Sequence, residues 1–223
     1  IRLRGFYGGK LRKGSGGGGS GDGFPQLPGD VTRWHFGGLT NEMMAAMDDP
    51  RIEDADHKGR FLSFKNFAWK EGSGISDIYP GALVFDGVDD RGVCENFPIL
   101  TKEKGYTVVV LRQWDQDFLN TTLTGGLLST RNYSTGEGVA FEKIESSNKG
   151  YWNLGAGGII DFAKSPFTWQ TSKQYNNVGI LKGDKNHGKP LCVGCGLSGG
   201  QQCGRFAIWE LVFLDHDATE EEL

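Results

Sequence analysis

Residues 105–114 read GYTVVVLRQW, and this decapeptide decides the fold class. Thr107 and the three valines after it set four β-branched side chains in a row, and no apolar spacing of three or four residues accompanies them. Such a run favours a strand over a helix. In a strand, Tyr106, Val108, Val110, Arg112 and Trp114 share one face. Outward from here, similar short runs return at roughly eight-to-twelve-residue intervals, divided by Gly, Asn and Asp turns. Upstream, strands are expected at 31–36, 61–68, 82–85 and 91–94. Downstream they are expected at 127–130, 139–144, 151–154, 158–162, 167–171, 178–182, 191–195 and 205–214. Only TNEMMAAM at 40–47 tolerates a helix, a short turn capped by Thr40 or Asn41 before Pro50. A parallel α/β fold needs helices of about ten residues between its strands, and a propeller needs a fixed repeat. Neither is visible. The expectation is an all-β chain, a two-sheet antiparallel jelly-roll sandwich with an extended N-terminal arm.

Composition divides the chain. Residues 14–23, GSGGGGSGDG, form a flexible spacer, and a natural glycine-rich stalk and an inserted linker read alike. Three segments are therefore expected: a basic arm at 1–13, a glycine-rich linker at 14–29 and the jelly-roll domain at 30–223. The arm holds Arg2, Arg4, Lys10, Arg12 and Lys13 with the aromatic Phe6 and Tyr7, too little apolar surface to fold alone. Such an arm becomes ordered on a partner, for instance as a strand added to a sheet edge. Five cations against Asp22 give the first 24 residues a charge of +4, leaving −8 for the body of a chain whose total is −4. Acidic neighbouring copies or other assembly subunits are plausible docking sites, and a homo-oligomer follows from the same charge pattern. So few cations argue against nucleic acid. No stretch reaches the about 18 apolar residues of a membrane span. Both ends read as internal to a longer protein, since IRLRGFYGG is no secretory signal and ATEEEL begins a helix capped by Thr219.

Four segments, in order, resemble concanavalin A-like (laminin-G-like) domains. GALVFDGVDDRGV at 81–93 is similar to their strand, acidic turn and strand, although Arg91 stands where they usually have an aromatic residue. GYTVVVLRQW at 105–114, GLLSTRN at 126–132 and GRFAIWELVFLDHDATEEEL at 204–223 resemble the strands that follow, the last running into a short acidic helix. In that segment Leu211 and Phe213 alternate with Glu210 and Val212, making one apolar and one mixed face. With the glycine-rich stalk, KNFAW at 65–69 and ENFPILTKEKGYTV at 95–108 also resemble fibre or surface proteins of tailed phages of gut bacteria, and secreted bacterial adhesins. The resemblance implies a non-catalytic carbohydrate-recognition or adhesion module on the outside of a virion or cell, its partner a glycan or host surface. The alternative is a structural assembly component docked through the arm, and a glycoside hydrolase is a weaker one. Calcium at the rim is implied by the same resemblance, with Asp86, Asp89 and Asp90 as ligands and Glu95 nearby; the favoured alternative is that these aspartates only shape the turn, bonding local backbone N–H groups.

Catalysis finds little support in the residues. A glycosidase needs two carboxylates facing one cleft. IEDAD at 52–56 sits beside Pro50 in a loop-like stretch, and Glu142 and Glu145 would face opposite sides of a strand. His35, His57, His187 and His216 adjoin no nucleophile motif. Cys94, Cys192, Cys195 and Cys203 are expected as buried thiols ahead of a disulfide or a metal set, with Cys192 and Cys195 on opposite strand faces. Sugar recognition calls for aromatic faces beside planar hydrogen-bonding groups. Arg112 with Trp114, Arg131 with Tyr133 and Trp152 with Asn153 are the candidate pairs.

Overall fold

The computed structural model describes residues 27–101, 103–130, 140–143, 149–152, 158–161, 168–170, 177–182, 190–197, 201–219 and 222. The basic arm lies outside the described residues, as does the linker up to residue 26. In chain order come β1 (Val31–His35), α1 (Asn41–Ala45), β2 (Arg51–Glu53), β3 (Phe61–Lys65), β4 (Gly74–Ile75), β5 (Leu83–Asp86), β6 (Arg91–Cys94) and β7 (Thr107–Trp114). Next are α2 (Gln116–Leu119), β8 (Gly125–Ser129), β9 (Ala140–Lys143), β10 (Lys149–Trp152), β11 (Gly158–Asp161), β12 (Thr168–Gln170) and β13 (Asn177–Lys182). The chain closes with β14 (Leu191–Val193), β15 (Cys195–Leu197), β16 (Gln201–Cys203) and β17 (Arg205–Leu214). The protein is all-β, and among the described residues its strands form two sheets. One has the order β12-β13-β7-β17-β5-β4 with β1 also on β17; the other runs β11-β10-β9-β8-β14-β6-β3-β2 with β15 and β16 beside it. Pairing is antiparallel except between β16 and β8.

The main apolar core lies between the sheets. Trp34, Leu83, Phe85, Val108, Val110, Phe206, Ile208, Leu211 and Phe213 come from the first sheet, and Leu62, Phe64, Leu127, Leu128, Leu191 and Val193 from the second. Strand β7 shows the alternation that a one-sided core requires: Val108, Val110, Arg112 and Trp114 are buried while Val109, Leu111 and Gln113 are partly exposed. Strand β17 is the hub. Along one side it pairs with β7 from Phe206–Trp114 to Leu214–Thr107. Along its other side β5 takes Arg205 to Ile208 and β1 takes Glu210 to Leu214, end to end. Between them Trp209 is a bulge residue, where the register to β7 shifts, and its carbonyl accepts the Phe36 N–H at 3.1 Å.

Both ends of the described body meet at one pole. Leu27 packs against Val31, Val212 and Leu214, and the Asp30 N–H donates to Asp215 Oδ1 at 2.9 Å. The Thr107 hydroxyl donates to the His216 carbonyl and accepts from the Ala218 N–H, tying the segment after β17 to the start of β7. The Thr219 N–H donates to Glu222 Oε2 at 2.7 Å and the Glu222 N–H to the Thr219 carbonyl at 3.2 Å.

The bounds of β6 and β17 coincide with those expected from sequence, and Thr40 caps α1 by accepting from the Met43 N–H. Four elements were hidden, β16 among them. β2 lies within the acidic stretch read as a loop, pairing Arg51–Glu53 with Ser63–Phe61. β4 is held at the sheet edge by Asn41, whose side chain donates to the Ile75 carbonyl and accepts from its N–H. α2 follows Asp115, whose carboxylate accepts from the Phe118 N–H.

The cysteine expectation needs correction. Cys195 and Cys203 sit opposite each other on β15 and β16 and form a disulfide, while Cys94 and Cys192 are buried thiols. Burial pushes the Cys94 thiol up to about 12 and the Cys192 thiol to about 11. The single strand expected at 191–195 is broken by Gly194 at φ +97°, where the Phe85 ring occupies the space of a Cβ. No helix among the described residues is long and apolar enough to cross a membrane.

Leu211 is wholly buried on β17, whereas Val88 is 73% exposed in a turn. Leu211→Ala should cost about 2–5 kcal/mol in urea unfolding, and Val88→Ala should stay within about 0.5 kcal/mol. Equal effects would remove β17 from the core.

Candidate functional site

The pair Arg112 and Trp114 does not face solvent. Both are buried, because β7 lies between β13 and β17 and its inward face is covered by the second sheet. Total desolvation lowers the Arg112 guanidinium to about 9. The shared face read from sequence is real, but it belongs to the core and offers nothing to a glycan. Arg131, Tyr133 and Asn153 lie outside the described residues. Trp152 is placed only as a β10 position, opposite Phe141 on one side and Gly158 on the other.

The acidic turn between β5 and β6 does gather its carboxylates. One oxygen each from Asp86, Asp89 and Asp90 falls within 4.8 Å of the others. Asp86 and Asp90 are engaged internally, however. Asp90 accepts from the Ser73 hydroxyl at 3.0 Å and from the Asp86 N–H at 3.0 Å, while Asp86 Oδ1 accepts from the Val88 N–H at 2.8 Å. Three carboxylate oxygens are half or fewer of the six to eight that calcium takes. Glu95 falls outside the group. The trio therefore fits a clamp on the turn better than a calcium shell. Burial is the main force on Asp90, raising its carboxyl to about 7 against the lowering bonds from Ser73 and the Asp86 N–H; the charges of Asp86 and Asp89 add to the rise.

A second cluster lies on the outer face of the first sheet, at the β17 bulge. There Trp209 packs with Tyr79, Ala82, Val84 and Ala207, away from the main core. Its indole N–H donates to the Pro80 carbonyl at 3.0 Å, and Tyr79 meets it edge-on, centroids 6.2 Å apart at 89°. Two bonds set the turn that carries Tyr79: Tyr79 N–H to Ser76 Oγ at 2.9 Å, and Ser76 Oγ to Glu71 at 2.7 Å. Ile78 and Pro80 stand exposed beside the pair.

Glu210 follows Trp209 on the same outer face, two positions before Val212 and cross-strand from His35. It is only 6% exposed. Burial raises its carboxyl to about 7, and the Arg33 charge opposes the rise. Arg33 is itself paired with Asp56 at 2.9 Å. The His35 ring folds over Gly37, filling the space a Cβ there would need, and desolvation holds the imidazole below its usual range. Sequence reasoning passed over this cluster. Its signal was the step of three between Ile208 and Leu211, where strict alternation requires two.

These groups give stability a pH dependence of definite sign. Asp90 and Glu210, both raised to about 7, hold a proton in the folded state at pH values where the unfolded chain has lost it. Their contribution is fully present below the ordinary carboxylate range and is lost as pH rises through about 7. His216, raised first by its bond to Glu222, acts in the same direction, while His35, lowered by burial, opposes it. The melting temperature should therefore rise between about pH 8.5 and 5.5. Asp90→Asn and Glu210→Gln should each flatten that slope. A fall across the window would contradict the assignments.

No family model and no curated protein matches the chain. Among solved structures it is similar to the Trypanosoma rangeli sialidase in complex with sialic acid, at 13% identity and a TM-score of 0.51, covering 86% of this chain and 31% of that one. It is also similar to the botulinum neurotoxin serotype D binding domain, at 12% identity and a TM-score of 0.47, covering 74% of this chain and 47% of that one. The chain thus spans about a third of the sialidase and about half of the toxin chain. At such identities the sialidase likeness speaks for the β-rich fold alone, and the toxin likeness carries no argument.

Proposed function

We propose that this chain is a non-catalytic carbohydrate-recognition or adhesion domain of the concanavalin A-like (laminin-G-like) jelly-roll kind, displayed outside a cell or on a virion as a fibre or decoration protein. The observation that carries the reading is the half-buried Tyr79–Trp209 pair, held rigid on the outer face of a sheet by the Pro80 carbonyl. Fixed aromatic rings with polar neighbours suit sugars, whose carbon-bound hydrogens form apolar patches between hydroxyls. Two mostly antiparallel sheets around one core, and an acidic turn joining β5 to β6, support the jelly-roll reading. A disulfide supports an oxidising, extracellular setting. Attachment is given to the basic arm at residues 1–13, docked on neighbouring acidic subunits.

The full chain on a glycan array should bind a subset of glycans above background and release no reducing ends from them. Hydrolysis would make it an enzyme. Silence on the array, with loss of assembly when residues 1–13 are deleted, would replace recognition by a structural role.

A further inference from the structure

We infer that Trp209, Tyr79 and Glu210 form a binding site for a non-acidic pyranose, the ring packed against the aromatic pair and its hydroxyls on the Glu210 carboxyl. The inference rests on the carbohydrate-binding reading and names its site and ligand class.

Three observations converge on it. First, the aromatic pair is pre-positioned. The Trp209 N–H is already committed to Pro80, so the indole serves as a surface and not as a donor. Around it the turns are spare: a Cβ on Gly38 would meet nothing within 4 Å, and one on Gly81 would meet only the Gly37 Cα at 4.0 Å.

Second, Glu210 is a carboxyl only 6% exposed, set on the same outer face as Trp209 by the bulge. Vicinal hydroxyls of a sugar would donate to it.

Third, the charge around the site selects against acids. The nearby cation, Arg33, is buried and engaged by Asp56, with 4% of its side chain exposed. His35, across from Glu210, is kept toward its neutral form. On the Tyr79 turn the charged groups are carboxylates, Glu71 and Asp77. A uronic or sialic acid would bring another carboxylate into this acidic, partly dehydrated surface, where like charges repel strongly. A neutral ring meets no such penalty.

The test uses the full chain and matched probes: methyl glycosides of glucose, galactose and mannose, the corresponding methyl uronides, and free sialic acid. Binding is read by isothermal titration and tryptophan fluorescence at pH 7. At least one neutral glycoside should bind about tenfold more tightly than its uronide, and sialic acid more weakly than that glycoside. Trp209→Ala and Tyr79→Ala should each weaken the neutral ligand about tenfold, the size expected for losing an aromatic stack, with Trp209→Phe intermediate. Glu210→Gln should narrow the gap between neutral and acidic partners. Thermal melts of each variant separate lost binding from lost folding, and the Phe and Gln variants keep the test open if an alanine variant unfolds. Uronide or sialic acid binding as tightly as the neutral sugar overturns the proposal, as does a panel in which nothing binds. Array binding undiminished in folded Trp209→Ala removes this site but leaves the recognition reading standing. A wild-type chain that binds no glycan on the array removes both.

Discussion

The structure depends on the backbone ladder of one strand. Strand β17 must satisfy its N–H and C=O groups on both sides while sending alternate residues into the core. One neighbour, β7, is long enough to run its whole length. No single strand covers the other side, so β5 and β1 share it, meeting near Trp209. That division brings together segments separated by more than a hundred residues. It also fixes which faces of β1, β5 and β7 are inward, since each takes its register from β17.

Where two strands meet on a third, the ladder needs slack. The bulge provides it, turning Trp209 and Glu210 outward together while Ile208 and Leu211 stay in the core. A regular strand would have sent one of the pair inward, at the cost of an indole or a carboxyl in the wrong layer. The aromatic surface and the buried acid are thus by-products of a pairing problem, which accounts for their position midway along a central strand and not on a long loop. The acidic turn is different. The Asp86 and Asp90 carboxylates are engaged by local N–H groups and by Ser73, so they serve to shape the chain.

Legibility in the sequence followed the strength of local signals. A strand with a β-branched run and clean alternation, such as β7, could be read because burial on one face imposes a period of two. β2 could not, because Arg51 and Glu53 are exposed edge residues whose strand state is decided by pairing with β3. The Cys195–Cys203 link depends on a hairpin whose strands are three residues each, too short for any pattern to announce. Arg112 and Trp114 were read correctly as sharing a face, but a face has no sign until the second sheet is placed. A charged residue at the end of an apolar run invites the wrong choice, and here the core accepts the guanidinium whole. Trp209 was readable in principle from the three-residue step between Ile208 and Leu211, a departure from periodicity that carries more information than the regular positions around it.

The meeting of both ends of the described body at one pole has a mechanical side. Val31 and Leu214 are the terminal rung of the antiparallel β1–β17 pair, and the chain enters and leaves beside that rung. Tension applied through both ends would load the rungs one after another, beginning with Val31–Leu214, as a zip is opened. A shear geometry, in which all five β1 rungs share the load, is denied by this layout. Held from one end only, the body feels no such peeling force, because the drag of a bound surface reaches β1 through the sheet and not along it. A domain with this layout resists pulling best as a terminal bead on a tether and worst as a link within a chain.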